Sequence, residues 1–202
     1  MLGSQGQQFC CEGRVLDSAA TEGRRYPNLL QVLYLDYDGV LHPEAVFRTS
    51  KGPWLQTPGH RLFEYEHLLE KVIAPYPALR IVLSTAWLLS RGGYSYAKKQ
   101  LSPTLQSRVI GATFHQRHIR RDEYVATPRG VQVWQDVQRR CPHAWLALDD
   151  DDTDWPEWCR SHLIRTHPTL GLAEPHTYLA LQKKLCAMQE LSLHKSVKAA
   201  TE

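Results

Sequence analysis

Residues 32–43 read VLYLDYDGVLHP, a stretch that joins an apolar run to two acids and a glycine. The run Val32–Leu35 is uninterrupted, which is typical of a strand covered on both faces. In an extended segment Asp36 and Asp38 point to the same side, so their charges repel and a cation is expected beside them. Gly39 then permits a sharp turn of the chain. Taken alone, these residues also fit an Asx-type turn after a strand.

Four further short runs have strand character, and segments with helical periodicity lie between them. These runs are Ile81–Leu83, Arg108–Ile110, Trp145–Leu148 and Leu163–Ile164. Apolar stripes predict helices along residues 62–73, 131–141 and 178–188, and Thr127 is expected to cap the second, with Pro128 at its first position. Strands that alternate with helices indicate an α/β fold with a doubly wound parallel sheet. Such sheets bind ligands beyond the carboxyl ends of their strands.

Polar residues directly follow three of the predicted strands. One further polar residue lies at the start of the helix that leads into the fourth strand. Ser84 and Thr85 come directly after the second run, and Asp149 and Asp150 come directly after the fourth. Arg129 lies in the first turn of a predicted helix, where a cation gains nothing from the helix dipole. Singly, these residues are explained by a helix cap, a solvent-facing arginine and a solvated acidic loop. Together they place hydroxyls, acids and a cation at one edge of the sheet.

The composition is that of one ordinary globular domain. The chain has 202 residues, 43% of them hydrophobic, and 24 Lys+Arg against 21 Asp+Glu give a net charge of +3. No apolar stretch is long enough to span a membrane, so no membrane partner is expected. The five cysteines, of which Cys10 and Cys11 are adjacent and the other three scattered, do not indicate a disulfide framework or a paired CxxC zinc site, and Met1–Gly13 lacks a basic-then-apolar start. We therefore expect a cytoplasmic protein.

The four groups of residues resemble the motifs of the haloacid dehalogenase (HAD) superfamily of phosphohydrolases. Asp36–Val40 matches the first motif, DxDxV, and Ile81–Ser84 matches the second, an apolar strand ending in Ser or Thr. Arg129 is the match to the third, and Leu146–Asp150 to the fourth, apolar residues followed by paired acids. More narrowly, the chain looks like the HAD-type domain of "Swiss Army Knife" RNA-repair proteins. The sequences that carry this likeness are LDYDGVLHP, IVLSTAW, PRGVQVW and LALDDDD.

The resemblance implies a role for each acid. Asp36 would be the nucleophile that forms an aspartyl-phosphate, and Asp38 would protonate the leaving oxygen and then activate water. Mg²⁺ would be held by Asp36, the backbone carbonyl of Asp38 and a fourth-motif acid, with Asp150 favoured over Asp149. Superfamily members that cleave carbon–halogen bonds lack the second acid of the first motif, so Asp38 favours phosphoryl transfer.

The resemblance also implies which groups bind the phosphate. Ser84 and Thr85 would hydrogen-bond the phosphoryl oxygens, and Arg129 would balance their charge. The third motif is most often Lys, so Arg91 is the alternative cation. A non-catalytic module that only binds phosphate or metal on the same fold is the alternative function.

The intervals between the motifs leave little chain for an inserted cap. We predict a Rossmann-like HAD core that is capless or has a very small cap, with an open site for nucleotides, nucleic-acid ends or other phosphate esters. The predicted boundaries are a poorly ordered segment over residues 1–28, the HAD-like domain over 29–189 and a tail over 190–202. One basic segment either contacts a phosphate backbone or is a solvated loop. Its residues are His115, Arg117, His118, Arg120 and Arg121.

Overall fold

A parallel sheet of five strands forms the centre of the computed structural model, which describes residues 30–50 and 52–200. In chain order its strands are β1 (Gln31–Leu35), β4 (Leu79–Leu83), β5 (Val109–Ala112), β6 (Ala144–Asp149) and β7 (Leu163–Arg165). They are arranged in the order β5-β4-β1-β6-β7, and every neighbouring pair is parallel. All five predicted strands are present, and the predicted α/β class is confirmed.

Helices cover both faces of this sheet. They are α1 (Glu66–Ile73), α2 (Gly93–Lys99), α3 (Pro103–Arg108), α4 (Arg121–Ala126), α5 (Arg129–Arg140), α6 (Glu157–Arg160) and α7 (Pro175–Ala200). Along β1, Leu33 and Leu35 pack into the core that includes α1 and α7, whereas Val32 and Tyr34 pack into the core that includes α5. Burial on both faces is the reason that this strand is apolar without interruption.

One small antiparallel hairpin lies between β1 and α1. It consists of β2 (Val46–Thr49) and β3 (Gly52–Leu55), and Phe47 pairs with Trp54 across it. The sequence analysis identified neither strand, because neither is a continuous apolar run and β3 contains Gly52 and Pro53, residue types that are rare in strands. The hairpin fits the expectation of a very small cap, and within the described ranges it is the only second sheet.

The start of α5 differs from the prediction. Pro128 is the N-cap, and the hydroxyl of Thr127 donates back to the carbonyl of Glu123 at 2.8 Å instead of capping α5. The helix is fixed to the sheet further along, where Asp136 accepts a hydrogen bond from Tyr34 of β1 at 2.8 Å and one from Arg140 of the same helix at 2.8 Å.

The remaining expectations on organisation are only partly covered by the described residues. The segment 1–28 lies outside them, and α7 extends through residue 200, across part of the predicted tail. The boundaries of the domain therefore stay predictions. Among the helices that the structure describes, none combines the length and apolar character needed to cross a membrane.

Candidate active site

Three neighbouring strands end at the same edge of the sheet and carry the candidate residues. The amide of Asp36 donates to the carbonyl of Leu148 at 3.1 Å, and the amide of Ser84 donates to the carbonyl of Leu35 at 2.8 Å. Asp149 is the last residue of β6. Continued strand-like hydrogen bonding therefore aligns the ends of β4, β1 and β6, and side chains distant in sequence converge.

Three carboxylates meet at this edge. One oxygen from each of Asp36, Asp149 and Asp150 lies within 4.8 Å of the other two. We call these three residues the carboxylate cluster. Gly39 makes the approach of Asp150 possible: its φ is +68°, and a Cβ placed there would lie 2.3 Å from the carboxyl carbon of Asp150. A side chain at this position would thus occupy the space of Asp150.

Arg129 is the cation of the cluster. Its guanidinium lies 3.6 Å from Asp36 (Nη2 to Oδ2) and 3.4 Å from Asp149 (Nε to Oδ2). Burial opposes its charge, but the two carboxylates outweigh this effect and raise the pKa of Arg129 above its ordinary value. Arg91, the alternative cation, lines a cavity beside Asp38. Among the residues described, none forms an ion pair with it.

A single arginine does not compensate three carboxylates. Burial, followed by the charges of neighbouring acids, raises the pKa values of Asp36 and Asp149 against the opposing effect of Arg129. Burial and then the charge of Asp36 raise the pKa of Asp150 to about 7. When all three are ionised, the cluster with Arg129 carries a net charge of −2.

This donor set fits a hard divalent cation. The three side chains supply carboxylate oxygens, which are the ligands that Mg²⁺ prefers. In addition, Oδ2 of Asp149 is buried and accepts no hydrogen bond, although Arg129 lies near it. A buried carboxylate oxygen without a donor is costly unless a cation neutralises it. A bound cation would neutralise both the net negative charge of the cluster and the unsatisfied carboxylate oxygen of Asp149.

The side chain of Asp38 is held apart from the carboxylate cluster. Its Oδ1 accepts a hydrogen bond from Nε1 of Trp87 at 2.9 Å and lies 3.0 Å from Nε2 of His42. The amide of Phe63 donates to Nδ1 of His42 at 3.3 Å, so in the neutral imidazole the proton is on Nε2 and points to Asp38. Two donors thus fix one carboxylate oxygen, while the side chain stays 27% exposed.

Ser84 and Thr85 lie beside Asp36 but have different surroundings. The hydroxyl of Ser84 is buried without a hydrogen-bond partner. The hydroxyl of Thr85 accepts from the amide of Trp87 at 3.4 Å and, by hydrogen bonding to Asp36, lowers the pKa of that carboxyl. Ser84 is therefore the hydroxyl with unused hydrogen-bonding capacity.

The predicted basic segment lies away from the carboxylate cluster. Its side chains at 115, 117 and 121 line a cavity next to the one beside Asp38, and Arg120 pairs instead with Asp122 at 2.8 Å. Sequence analysis assigned no site role to Trp87. Trp87 is 49 residues from Asp38 in sequence, and no local pattern reveals their hydrogen bond.

One comparison with known proteins, a scan against protein families, agrees with this architecture. Residues 32–177 match the model of a family described as the HAD domain in Swiss Army Knife RNA repair proteins. Neither the search of curated proteins nor that of solved structures gives a match for this chain. The matched range includes all five strands of the sheet except the first residue of β1, the carboxylate cluster and Arg129. The chain belongs to the family of HAD domains found in Swiss Army Knife RNA repair proteins.

Proposed function

We propose that this chain is a Mg²⁺-dependent phosphatase that hydrolyses phosphate monoesters through an aspartyl-phosphate on Asp36. Membership of the HAD domain family suggests phosphohydrolase activity. The observation that carries the proposal is the convergence of Asp36, Asp149 and Asp150 within 4.8 Å around the half-buried Arg129 at the ends of β1 and β6.

Asp36 has the surroundings of a nucleophile. Its side chain is buried, which limits competition from water, and its Oδ1 is oriented by the amide of Tyr37 at 2.7 Å. A carboxylate oxygen of Asp36 attacks phosphorus, and the bond from phosphorus to the leaving oxygen breaks. Arg129, whose charge is maintained by the cluster, and the free hydroxyl of Ser84 are the groups that would stabilise the phosphoryl oxygens.

Asp38 is proposed as the acid and then the base. In the first half of the reaction it gives a proton to the leaving oxygen, and in the second it takes a proton from the water that attacks the phosphoenzyme. Phosphate then leaves, and both Asp36 and Asp38 return to their starting states. The hydrogen bonds from Trp87 and His42 hold this carboxylate in one orientation for both steps.

Mg²⁺ would be held by Asp36, by Asp150 or Asp149, and by the backbone carbonyl of Asp38. When bound, the ion offsets the repulsion between the carboxylates and the incoming phosphate and stabilises the charge of the transition state.

The substrate belongs to a class that an open site can admit: a nucleotide, a nucleic-acid end or another phosphate ester. The small hairpin β2–β3 supports this choice, because it is much smaller than a domain that could enclose a metabolite. The proposal includes a cytoplasmic location. Its support is that Cys159 and Cys186, two of the cysteines in the described part of the chain, are free thiols.

The test is phosphate release from phenyl phosphate with and without Mg²⁺, for the wild type, Asp36→Asn and Asp154→Asn. Asp154 is an exposed acid of the same loop as Asp150, so it controls for the loss of one negative charge. We expect Mg²⁺-dependent turnover that Asp36→Asn abolishes and Asp154→Asn retains. When the reaction of Asp38→Ala with phenyl phosphate is quenched with acid, we expect this variant to carry one extra phosphoryl group on Asp36, which peptide mass spectrometry detects.

Absence of turnover by the wild type on a broad panel of phosphate esters would contradict the proposal. If calorimetry then showed binding of Mg²⁺ and fluoroberyllate, the non-catalytic binding module would be the correct function.

A further inference from the structure

A cavity lies beside the proposed proton donor. It has a volume of about 370 Å³, and Asp38, Trp87 and Arg91 line it together with residues of the hairpin β2–β3. In the proposed reaction Asp38 gives its proton to the leaving oxygen, so the leaving group must lie against Asp38. This cavity is therefore a place that the leaving group can occupy, and we call it the leaving-group cavity.

A second, larger cavity adjoins the first. Its volume is about 750 Å³, and it shares Ser90 and Arg91 with the leaving-group cavity. Arg117, Arg121 and His115 also line it, and no described residue of its lining is Asp or Glu. Arg91 thus lies where the two cavities meet, and the surface beyond it is positive.

The charges of these arginines are not compensated within the part of the chain that the structure describes. Arg91 and Arg117 form no ion pair there, and Arg121 donates only to the backbone carbonyl of Leu89, at 2.6 Å. By contrast, Arg129, Arg140 and Arg165 each lie against a carboxylate. Three guanidinium groups around one cavity without a carboxylate favour an anionic ligand.

We propose that Arg91, together with Arg117 and Arg121, binds a second phosphate carried by the leaving group. The preferred substrate is then a phosphomonoester whose leaving group bears a further phosphate ester or phosphodiester. A guanidinium pairs with phosphate through two parallel hydrogen bonds, which gives both affinity and orientation. The inference rests on the proposed function, because that reaction places the leaving group beside Asp38.

The experiment compares kcat/KM for substrates that differ only in the second phosphate. A nucleoside 3′-monophosphate is compared with the 3′,5′-bisphosphate and with 3′-phosphorylated oligonucleotides of two to four residues, at low ionic strength. From the free energy of one hydrogen-bonded charge pair, we expect kcat/KM to be about tenfold or more higher for the substrates with an additional phosphate. The oligonucleotide and bisphosphate arms distinguish a nucleic-acid end from a small bisphosphate as the source of that group.

The matched variants are Arg91→Gln and Arg61→Gln. Both residues are exposed arginines, but Arg61 lines neither cavity. We expect Arg91→Gln to reduce the preference to near unity and Arg61→Gln to retain the wild-type ratio. Arg91→Lys, which keeps the charge and loses the paired hydrogen bonds, should give an intermediate ratio. Thermal unfolding checks that each variant is folded.

The outcomes separate the failure of this inference from that of the proposed function. Turnover of phenyl phosphate with no preference for a second phosphate, or a preference that Arg91→Gln leaves unchanged, overturns the inference alone. If a phosphopeptide with flanking acidic residues gives the same increase in kcat/KM as a second phosphate does, the assignment of these arginines to phosphate is overturned. Absence of turnover on every substrate overturns both proposals.

Discussion

Replacing Asp149 by Asn should stabilise the metal-free protein, although it removes a buried residue of the site. Asp149 lies within 4.8 Å of Asp36 and of Asp150, and 3.4 Å from Arg129. At an effective dielectric constant of about 20, each repulsion costs about 3.5 kcal/mol and the attraction to Arg129 returns about 5 kcal/mol. The balance is a penalty of about 2 kcal/mol from these three pairs. Asn keeps the shape, and its side-chain oxygen can still accept the hydrogen bond from the amide of Asp151.

The gain should depend on pH in a defined direction. The folded-state pKa of Asp149 is raised well above its ordinary value and that of Asp150 is raised to about 7, so between about pH 4 and those values the folded chain binds more protons than the unfolded chain. Wild-type stability therefore falls as the pH rises through this window. The substituted asparagine cannot ionise, so the advantage of Asp149→Asn should be largest at pH 8 and smaller at pH 5.

The assay is urea unfolding with a chelator present, at pH 5 and pH 8, for the wild type, Asp149→Asn and Asp154→Asn. We expect Asp149→Asn to raise the free energy of unfolding more at pH 8 than at pH 5, towards the value of about 2 kcal/mol for the fully ionised cluster, and Asp154→Asn to change it little. Mg²⁺ should stabilise the wild type by binding only the folded state, and should stabilise Asp149→Asn less. The reasoning is refuted if Asp149→Asn lowers the stability at pH 8, because Asp149 would then be a needed partner of Arg129.

Three further outcomes follow from the site. Gly39→Ala should lower the free energy of unfolding more than Gly59→Ala does. Both positions have positive φ, but only at Gly39 would a new Cβ lie 2.3 Å from Asp150. Urea unfolding measures the difference, and equal losses of about 1–2 kcal/mol would show that Asp150 does not approach Gly39. Trp87→Phe should reduce kcat by about tenfold or more, since Asp38 loses one of its two donors while the aromatic ring is retained; unchanged steady-state kinetics would exclude a positioning role. Affinity for Mg²⁺ should rise between pH 6 and pH 8 as Asp150, with a pKa of about 7, loses its proton. Calorimetry in two buffers with different ionisation enthalpies should detect release of this proton on binding, and binding without proton release would contradict the raised pKa of Asp150.

The sheet could be predicted from the sequence because each of its strands has a local signal. Val32–Leu35 and Trp145–Leu148 are apolar throughout since each is covered on both faces, and such runs are visible without knowing what covers them. The acids at their ends could be found for the same reason: in a parallel sheet the carboxyl ends of neighbouring strands meet. The convergence of the cluster followed from topology alone.

The features that could not be predicted depend on contacts between distant segments. One of the two donors to Asp38 is Trp87, and the cavities lie between the hairpin, the 3-10 turn Ala86–Leu89 and the segment 114–121. Thr127 fits both the start of α5 and the end of α4, and the carbonyl of Glu123 determines which occurs. Local pattern does not rank such competing partners.

The central place of β1 has a consequence for how the site opens. This strand is hydrogen-bonded to β4 on one side and to β6 on the other, so the backbone next to Asp36 can be exposed to solvent only if the middle of the sheet separates. The walls of the leaving-group cavity are built from the two-stranded hairpin and a short turn, which have no such flanking strands. We expect hydrogen exchange to be slowest at Leu35 and faster in these walls by orders of magnitude, since opening of the walls needs only a part of the global unfolding free energy. In the proposed reaction, a leaving group would enter and leave repeatedly while the proposed catalytic acids keep their positions.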